Sequence, residues 1–333
     1  MQYVRLGKSG LKVSNIILGC MTYGVKRPKD NWTWVLEEEE ALKHLKHAYD
    51  RGINTFDTAD TYSQGNSERI LGKFLKTYDI PRESVVILTK TYFAWGEESS
   101  YGPAGYVNNK GLSRKRIFAS IKGSLERLGT DYVDLFQCHR FDKETPIEET
   151  MQALHDVVQA GHARYIGMSS CYAWQFQLMQ QYAIHNKLTP FISMQNYHNA
   201  IYREEEREMM PMLKHFGVGV IPWSPLGGGT LTRPVQNDIQ TDRAEFQKGY
   251  GELSEPDKSI VTAIESISKK RGISMAQVAL SWSLSKDFIS APIIGTTSLD
   301  KLDDLIQGLK VELTKEEVEE IDKDYKSKPV FGH

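Results

Sequence analysis

Tyr132-Val-Asp-Leu-Phe-Gln-Cys-His139 is an apolar run of strand length that ends on a titratable side chain. Side chains alternate along a strand, so Val133, Leu135, Gln137 and His139 fall on one face, with the histidine last in its row. Earlier in the chain, Val85-Val-Ile-Leu-Thr-Lys90 repeats the pattern, Val86 and Leu88 sharing a face with Lys90. Gly52-Ile-Asn-Thr-Phe-Asp57 does so again, and the chain then runs through Tyr62 into a Gly/Ser-rich turn from Ser63 to Ser67. Three successive strands each hand a polar side chain to a loop. With those faces turned inward in a closed sheet, Asp57, Tyr62, Lys90 and His139 crown it at one rim.

The same alternation extends over the whole chain. Strand candidates fall at 16–19, 54–57, 85–90, 132–139, 163–168, 191–195, 217–223 and 289–294. Between them lie segments of helical period at 41–52, 67–76, 113–128, 146–160, 172–185, 204–216 and 298–309. In the first, Ala41, Leu42, Leu45, Ala48 and Tyr49 form one apolar stripe that Gly52 closes. Strict strand and helix alternation calls for a parallel sheet, and eight units suit a (β/α)8 TIM barrel, with the doubly wound open sheet as the rival. Residues 3–14, centred on Gly7-Lys-Ser-Gly10, read as a hairpin plugging the barrel's N-terminal end. Residues 256–285 read as one or two extra helices, and 314–325 as a terminal helix with Thr314 and Glu317 in capping-box register. These are decorations on one domain spanning residues 1–333.

Composition excludes several function classes. The 333 residues are 40% hydrophobic, enough for a large core, and the net charge of −2 with no basic stripe gives nucleic-acid binding no electrostatic support. Cysteines stand only at 20, 138 and 171 without a CxxC pair, as expected in a reducing compartment. No apolar run approaches membrane-spanning length and no signal-peptide core follows Met1, so the expectation is a cytoplasmic protein without membrane contact. His44 and His47 stand three apart on the first helix, yet no third ligand accompanies them; they read as surface histidines rather than a metal site. Neither GxGxxG after a strand nor GxxxxGK(S/T) occurs.

The rim set has a chemical purpose. A phenol with a pKa of about 10 is a poor acid at neutral pH, and a nearby ammonium lowers that value. Lys90 can supply the ammonium, Asp57 can keep it charged, and His139 can hydrogen-bond a substrate oxygen. Singly, each residue has a plainer reading: an interfacial Tyr, a solvated Lys, a capping Asp. Their joint position at strand C-termini, where barrel enzymes keep catalytic residues, favours a carbonyl-protonating site. Gly227-Gly-Gly229 and Gly295-Thr-Thr-Ser298 follow the seventh and eighth strands, where barrels often bind phosphate, although glycines also simply make tight turns. Trp223 can offer its face to a planar ring, and Ser169, Ser170 and Gln195 can hydrogen-bond an amide.

In these segments the chain resembles the aldo-keto reductase family, from about Tyr3 to Pro329-Val-Phe-Gly-His333. The resemblance lies in residues 52–68 with their Asp, Tyr and Gly65-Asn-Ser-Glu68 ending, then Lys90, Asp131-Tyr-Val-Asp-Leu-Phe-Gln-Cys-His139, Ile166-Gly-Met-Ser-Ser170, Gln195 and Trp223-Ser-Pro-Leu226, in family order. It is similar to the branch of potassium-channel β subunits and aryl-alcohol dehydrogenases.

That resemblance implies a barrel holding NADPH along its C-terminal rim and reducing an aldehyde or ketone. It implies a catalytic tetrad of Asp57, Tyr62, Lys90 and His139, with Tyr62 the proton donor. Asp57 and Met21 would also meet the cofactor, Ser169, Ser170 and Gln195 its carboxamide, and Trp223 its nicotinamide face. Ser224, Pro225, Leu226, Gly228, Arg233 and Arg243 would follow the pyrophosphate, and Gly295, Thr297, Lys301 and Asp304 the adenosine 2′-phosphate end. The chain departs from the family where Gly295 replaces a frequent basic residue and Leu305 a frequent Asn. Two rivals stand beside this reading: a nicotinamide-binding redox sensor with little turnover, and a barrel lyase with Lys90 as a Schiff-base amine. Against the lyase, Asp57 would keep that amine charged. The aromatic loop with Tyr92, Phe93, Trp95, Tyr101 and Tyr106, or the segment from Trp32 to Trp34, can wall a substrate pocket. Substrate identity and oligomeric state are open in the sequence.

Overall fold

The computed structural model describes residues 1–27, 32–94, 105–236 and 253–333. Among these, β1 (Tyr3–Arg5) and β2 (Lys12–Ser14) form an antiparallel hairpin. The remaining strands are β3 (Ile17–Gly19), β4 (Thr55–Asp57), β5 (Val86–Thr91), β6 (Val133–Cys138), β7 (Ala163–Ser169), β8 (Phe191–Gln195), β9 (Gly219–Val220) and β10 (Ile293–Ile294). They form one parallel sheet in the order β10-β3-β4-β5-β6-β7-β8-β9. Parallel bridges from Val220 to Ile289 and from Trp223 to Ile293 join its two ends. The Ile293 amide donates to the Pro222 carbonyl at 2.9 Å. The sheet is therefore a (β/α)8 barrel and not the open rival.

The helices are α1 (Glu38–Asp50), α2 (Asn66–Thr77), α3 (Arg114–Leu128), α4 (Ile147–Gln159), α5 (Ala173–His185), α6 (Met209–Phe216), α7 (Glu255–Arg271), α8 (Met275–Leu284), α9 (Leu299–Gly308) and α10 (Lys315–Asp322). Acidic Glu38, Glu39 and Glu40 open α1, where they complement the helix dipole. The expected capping box of α10 is present, the Glu317 amide donating to Thr314 Oγ1 at 3.3 Å and the Thr314 amide to Glu317 Oε2 at 2.9 Å. The single helix expected over 204–216 is instead a 3-10 turn at Glu204–Glu206 followed by α6. The turn directs its carboxylates to separate partners: Glu204 to Tyr325, Glu205 to Asn196, Glu206 to His198.

Inside the barrel Ile17, Val86, Leu88, Leu135, Ile221 and Ile293 pack with Leu6 and Val13 of the hairpin. Leu6 is fully buried, and the Lys8 amide donates to the Gly217 carbonyl at 2.8 Å. A Cβ on Gly7 would lie 2.5 Å from that carbonyl oxygen, so only glycine allows the hairpin this close to the entrance of β9. The plug leaves the C-terminal rim as the face where polar groups gather.

His44 corrects a surface reading. It is 1% exposed, packed in the stripe of α1, with Nδ1 2.7 Å from the Tyr23 hydroxyl. Burial lowers its pKa from 6.5 to about 4. The unfolded chain therefore takes up this proton first, and stability present above pH 6.5 is lost as pH falls towards 4. The full effect is about 3 kcal/mol. In urea unfolding, His44→Gln is expected to flatten the acid side of the stability profile; an unchanged profile would refute the assignment. His47 instead meets Asp303 at 2.8 Å, and the described residues contain no group able to hold a metal ion.

Candidate active site

The strand ends bring Asp57, Tyr62, Lys90 and His139 together. Asp57 closes β4, Lys90 is the penultimate residue of β5 and His139 follows β6. Lys90 is fully buried, and its Nζ donates to Asp57 Oδ2 at 2.5 Å, to the Thr58 carbonyl at 2.8 Å and to the Tyr62 hydroxyl oxygen at 3.2 Å. The Tyr62 hydroxyl proton is thereby left for another acceptor. The His139 ring meets the Tyr62 ring edge-on, with centroids 5.7 Å apart.

Electrostatics sort these groups. Burial pulls the Lys90 pKa down, but Asp57, then Tyr62, outweigh it and hold the ammonium above its ordinary value. For Tyr62, burial raises the pKa and outweighs the lowering by Lys90. The sequence reading counted the ammonium and not the desolvation, so the expected net lowering is reversed. His139 lies well below its ordinary value because of burial, then Lys90 and Arg140. At neutral pH the rim thus holds a protonated phenol, an ammonium and a neutral imidazole.

Gln137 and Gln195 complete the set. Their Nε2 atoms donate to Asp57 Oδ1 at 3.1 and 2.9 Å, and Gln195 also donates to Gln137 Oε1 at 3.1 Å. Gln137 shares a strand face with His139, the one clue the sequence offered for it. Ser169 donates its hydroxyl to the Gln195 carbonyl at 2.8 Å, while Ser170 Oγ accepts from Trp223 Nε1 at 3.1 Å. The Trp223 indole stacks on Tyr197, 4.5 Å between centroids at 29°. Ser63, Gln64, Ser170 and Ser224 all hold positive φ beside the site. Such left-handed non-glycine backbone costs about 1–3 kcal/mol per residue and clusters where geometry is functional.

The other singled-out residues follow the rim. Met21 lies in the turn after β3. Ser224, Pro225 and Leu226 lead into a 3-10 turn at Gly227–Thr232 with Gly228 at φ 66°, and Arg233 Nε donates back to the Gly229 carbonyl at 3.2 Å. Gly295, Thr297 and Lys301 are exposed at the start of α9. Asp304 is tied internally, its carboxylate accepting from Ser274 Oγ at 2.6 Å and Gln277 Nε2 at 2.8 Å. Leu305 is core. Arg243, Trp95 and Tyr101 lie outside the described residues. Phe93 is at the site, its ring edge-on to His139 at 5.0 Å, while the Trp32 and Trp34 rings pack on each other at 4.9 Å.

Sequence reasoning missed a second layer behind the tetrad. Asp60, two residues before Tyr62, accepts from Arg116 at 2.6 Å and from Ser120 Oγ at 2.7 Å. Burial, opposed by Arg116, pushes Asp60 up to about 6. Beside it Glu68 accepts from Arg127 and Thr89, both at 2.6 Å.

A rim of this kind on a closed barrel defines a class. The aldo/keto reductase family model matches residues 15–326, and the chain belongs to that family. It is 49% identical to a versiconal hemiacetal acetate reductase of Aspergillus parasiticus, over 99% of this chain and 98% of the relative. An aldo-keto reductase of Alternaria alternata is 44% identical over 99% of this chain and 93% of its own length. A putative aryl-alcohol dehydrogenase of Saccharomyces cerevisiae is 44% identical over 98% and 97%. The protein is accordingly an oxidoreductase of small carbonyl compounds, from a family that generally works with NAD(P)H. No helix among the described residues is long and apolar enough to cross a membrane.

Proposed function

We propose that the protein is an NADPH-dependent reductase of aldehydes or ketones in which Tyr62 is the general acid. The observation that carries this reading is the buried Lys90 ammonium, shared between Asp57 and the Tyr62 hydroxyl. Tyr62 keeps its proton until negative charge develops on the substrate oxygen, and Lys90 then stabilises the phenolate left behind. His139, neutral, donates a hydrogen bond to that oxygen without competing for its proton. Asp57 keeps Lys90 charged, and Gln137 and Gln195 satisfy the second carboxylate oxygen.

The rim fits an extended dinucleotide. Trp223 is a fixed platform, held by Tyr197 on one face and by Ser170 at its nitrogen, suited to the nicotinamide ring. Ser169, Ser170 and Gln195 would hold the carboxamide, Gln195 exchanging partners to do so. Met21, Ser224 to Leu226, Gly228 and Arg233 would follow the pyrophosphate, and Gly295, Thr297 and Lys301 the 2′-phosphate end, Asp304 being held by Ser274 and Gln277 instead. Bound there, the cofactor would supply hydride to the carbonyl carbon. The aryl-alcohol dehydrogenase relative, with Phe93 and Tyr62 against His139 at the site, favours an aryl carbonyl. We read residues 1–333 as a single domain working in the cytoplasm, in keeping with its three free, buried cysteines.

A panel of aryl and aliphatic aldehydes and ketones tests the proposal, followed by loss of NADPH absorbance. Turnover with aryl aldehydes is expected; tight NADPH retention with negligible turnover would instead favour a redox sensor. Lys301 sits in the first turn of α9, where its ammonium joins the helix N-terminus in facing a 2′-phosphate. Such a charge-assisted contact is worth about 1.5–3 kcal/mol. Lys301→Ala is therefore expected to raise the KM for NADPH about tenfold or more and to leave NADH nearly unchanged. Equal effects on both cofactors would show that the phosphate is not read there.

A further inference from the structure

The Arg116 guanidinium, from the first turn of α3, joins two segments that flank His139. It donates to Asp60 Oδ2 at 2.6 Å and, through the same nitrogen, to the Phe93 carbonyl at 3.0 Å. Asp60 lies two residues before Tyr62, and its own amide donates to the Lys90 carbonyl at 3.1 Å. The Phe93 ring meets the His139 ring edge-on at 5.0 Å, as the Tyr62 ring does at 5.7 Å. His139 thus meets two aromatic rings, one whose own carbonyl and one whose neighbour two residues back are held by the same cation. That cation has a rigid base, since the Arg116 amide donates to the N-cap Ser113 Oγ at 3.2 Å.

Stability alone does not account for the pair. Arg116 and Asp60 are 4% and 1% exposed, and Asp60 Oδ1 and Arg116 Nε are buried with no hydrogen-bond partner among the described residues. A well-packed apolar pair of similar volume is often as stable as a buried ion pair, or more so. What an apolar pair cannot do is hold a carboxylate and a carbonyl at once, as this one guanidinium nitrogen does.

We propose that Arg116, with Asp60, is a positioning residue that fixes the Tyr62 loop and the Phe93 segment around His139, setting both the aim of the acid and the width of the slot for an aryl substrate. The proposal rests on the reading of Tyr62 as general acid. Neither Arg116 nor Asp60 touches the reacting atoms.

Two variants test it. Asp60→Leu with Arg116→Met removes the tie but leaves an apolar contact, and Arg116→Lys keeps a charge beside Asp60 but ends one bond short of the nitrogen that bridges Asp60 and the Phe93 carbonyl. Thermal unfolding and NADPH titration by tryptophan quenching are measured beside kinetics on an aryl and a short aliphatic aldehyde. Expected are near-wild-type melting and NADPH affinity, with kcat lowered roughly 10- to 100-fold. The KM for the aryl aldehyde is expected to rise more than that for the aliphatic one. Either folded variant with wild-type kcat and aryl preference overturns the proposal. So does failure of both to fold, which makes the pair structural only. Wild type and Tyr62→Phe are run alongside: a fully active Tyr62→Phe indicts the general-acid reading, whereas an inactive Tyr62→Phe with fully active Arg116 variants indicts this proposal alone.

Discussion

Tyr62→Phe is expected to lower kcat by at least ~10²- to 10⁴-fold, the usual contribution of a positioned general acid, with NADPH affinity close to wild type. The substitution removes one oxygen and keeps the ring that packs edge-on against His139. Lys90 loses its longest hydrogen bond but keeps Asp57 at 2.5 Å and the Thr58 carbonyl at 2.8 Å, so the buried ammonium remains satisfied. Neutral His139 is no replacement acid, because burial and two neighbouring cations, Lys90 and Arg140, disfavour its protonated form. Because burial holds the phenol protonated, the wild-type acid is available across the neutral range, and the loss should be much the same from pH 6 to 8. Single-turnover reduction of an aryl aldehyde, followed at the NADPH absorbance, gives the comparison. A rate constant within severalfold of wild type would remove Tyr62 from the mechanism.

The barrel was legible because six of its strands carry apolar or alternating runs, and the rim because the runs at 54–57, 85–90, 132–139 and 191–195 each end on a polar residue. The last two strands were legible as segments but not in extent. Pro222 and Pro292 interrupt the ladder there, and β9 and β10 keep two residues each. His44 lies three residues after Ala41 and four before Ala48, within the apolar stripe; its polarity concealed what its position said. Arg116 carried no signal, since a cation in the first turn of a helix ordinarily reads as solvated. Its burial depends on Asp60, 56 residues earlier in the chain. Asp304 shows the same limit in reverse. Its sequence position fits an adenine contact, while its carboxylate is engaged with Ser274 and Gln277 of α8 and its cap. The Tyr62 pKa was misjudged in direction because a sequence displays charges and conceals desolvation.

Lys90→Met separates the catalytic use of the ammonium from its structural one. Methionine nearly fills the lysine's volume, so packing changes little, but Asp57, 2% exposed, is left among the described residues with Gln137 and Gln195 on one oxygen. Breaking a buried pair by removing one partner destabilises by about 3–5 kcal/mol, and a fall of several degrees in melting temperature is expected. Lys90 is held above its ordinary pKa of 10.5. Its contribution to stability is therefore full below about pH 10.5 and lost as pH rises through the higher folded value; the variant should lack that alkaline loss. Adding Asp57→Leu removes the stranded carboxylate and is expected to recover most of the stability. It should recover no activity, because Tyr62 would still form its phenolate in a buried site without a cation. The expected fall in kcat is again at least ~10²-fold, and the basic limb of the wild-type reductase profile should vanish with the lysine. A double variant that regains stability and turnover together would mean that Lys90 only balances Asp57, leaving Tyr62 to work without electrostatic help.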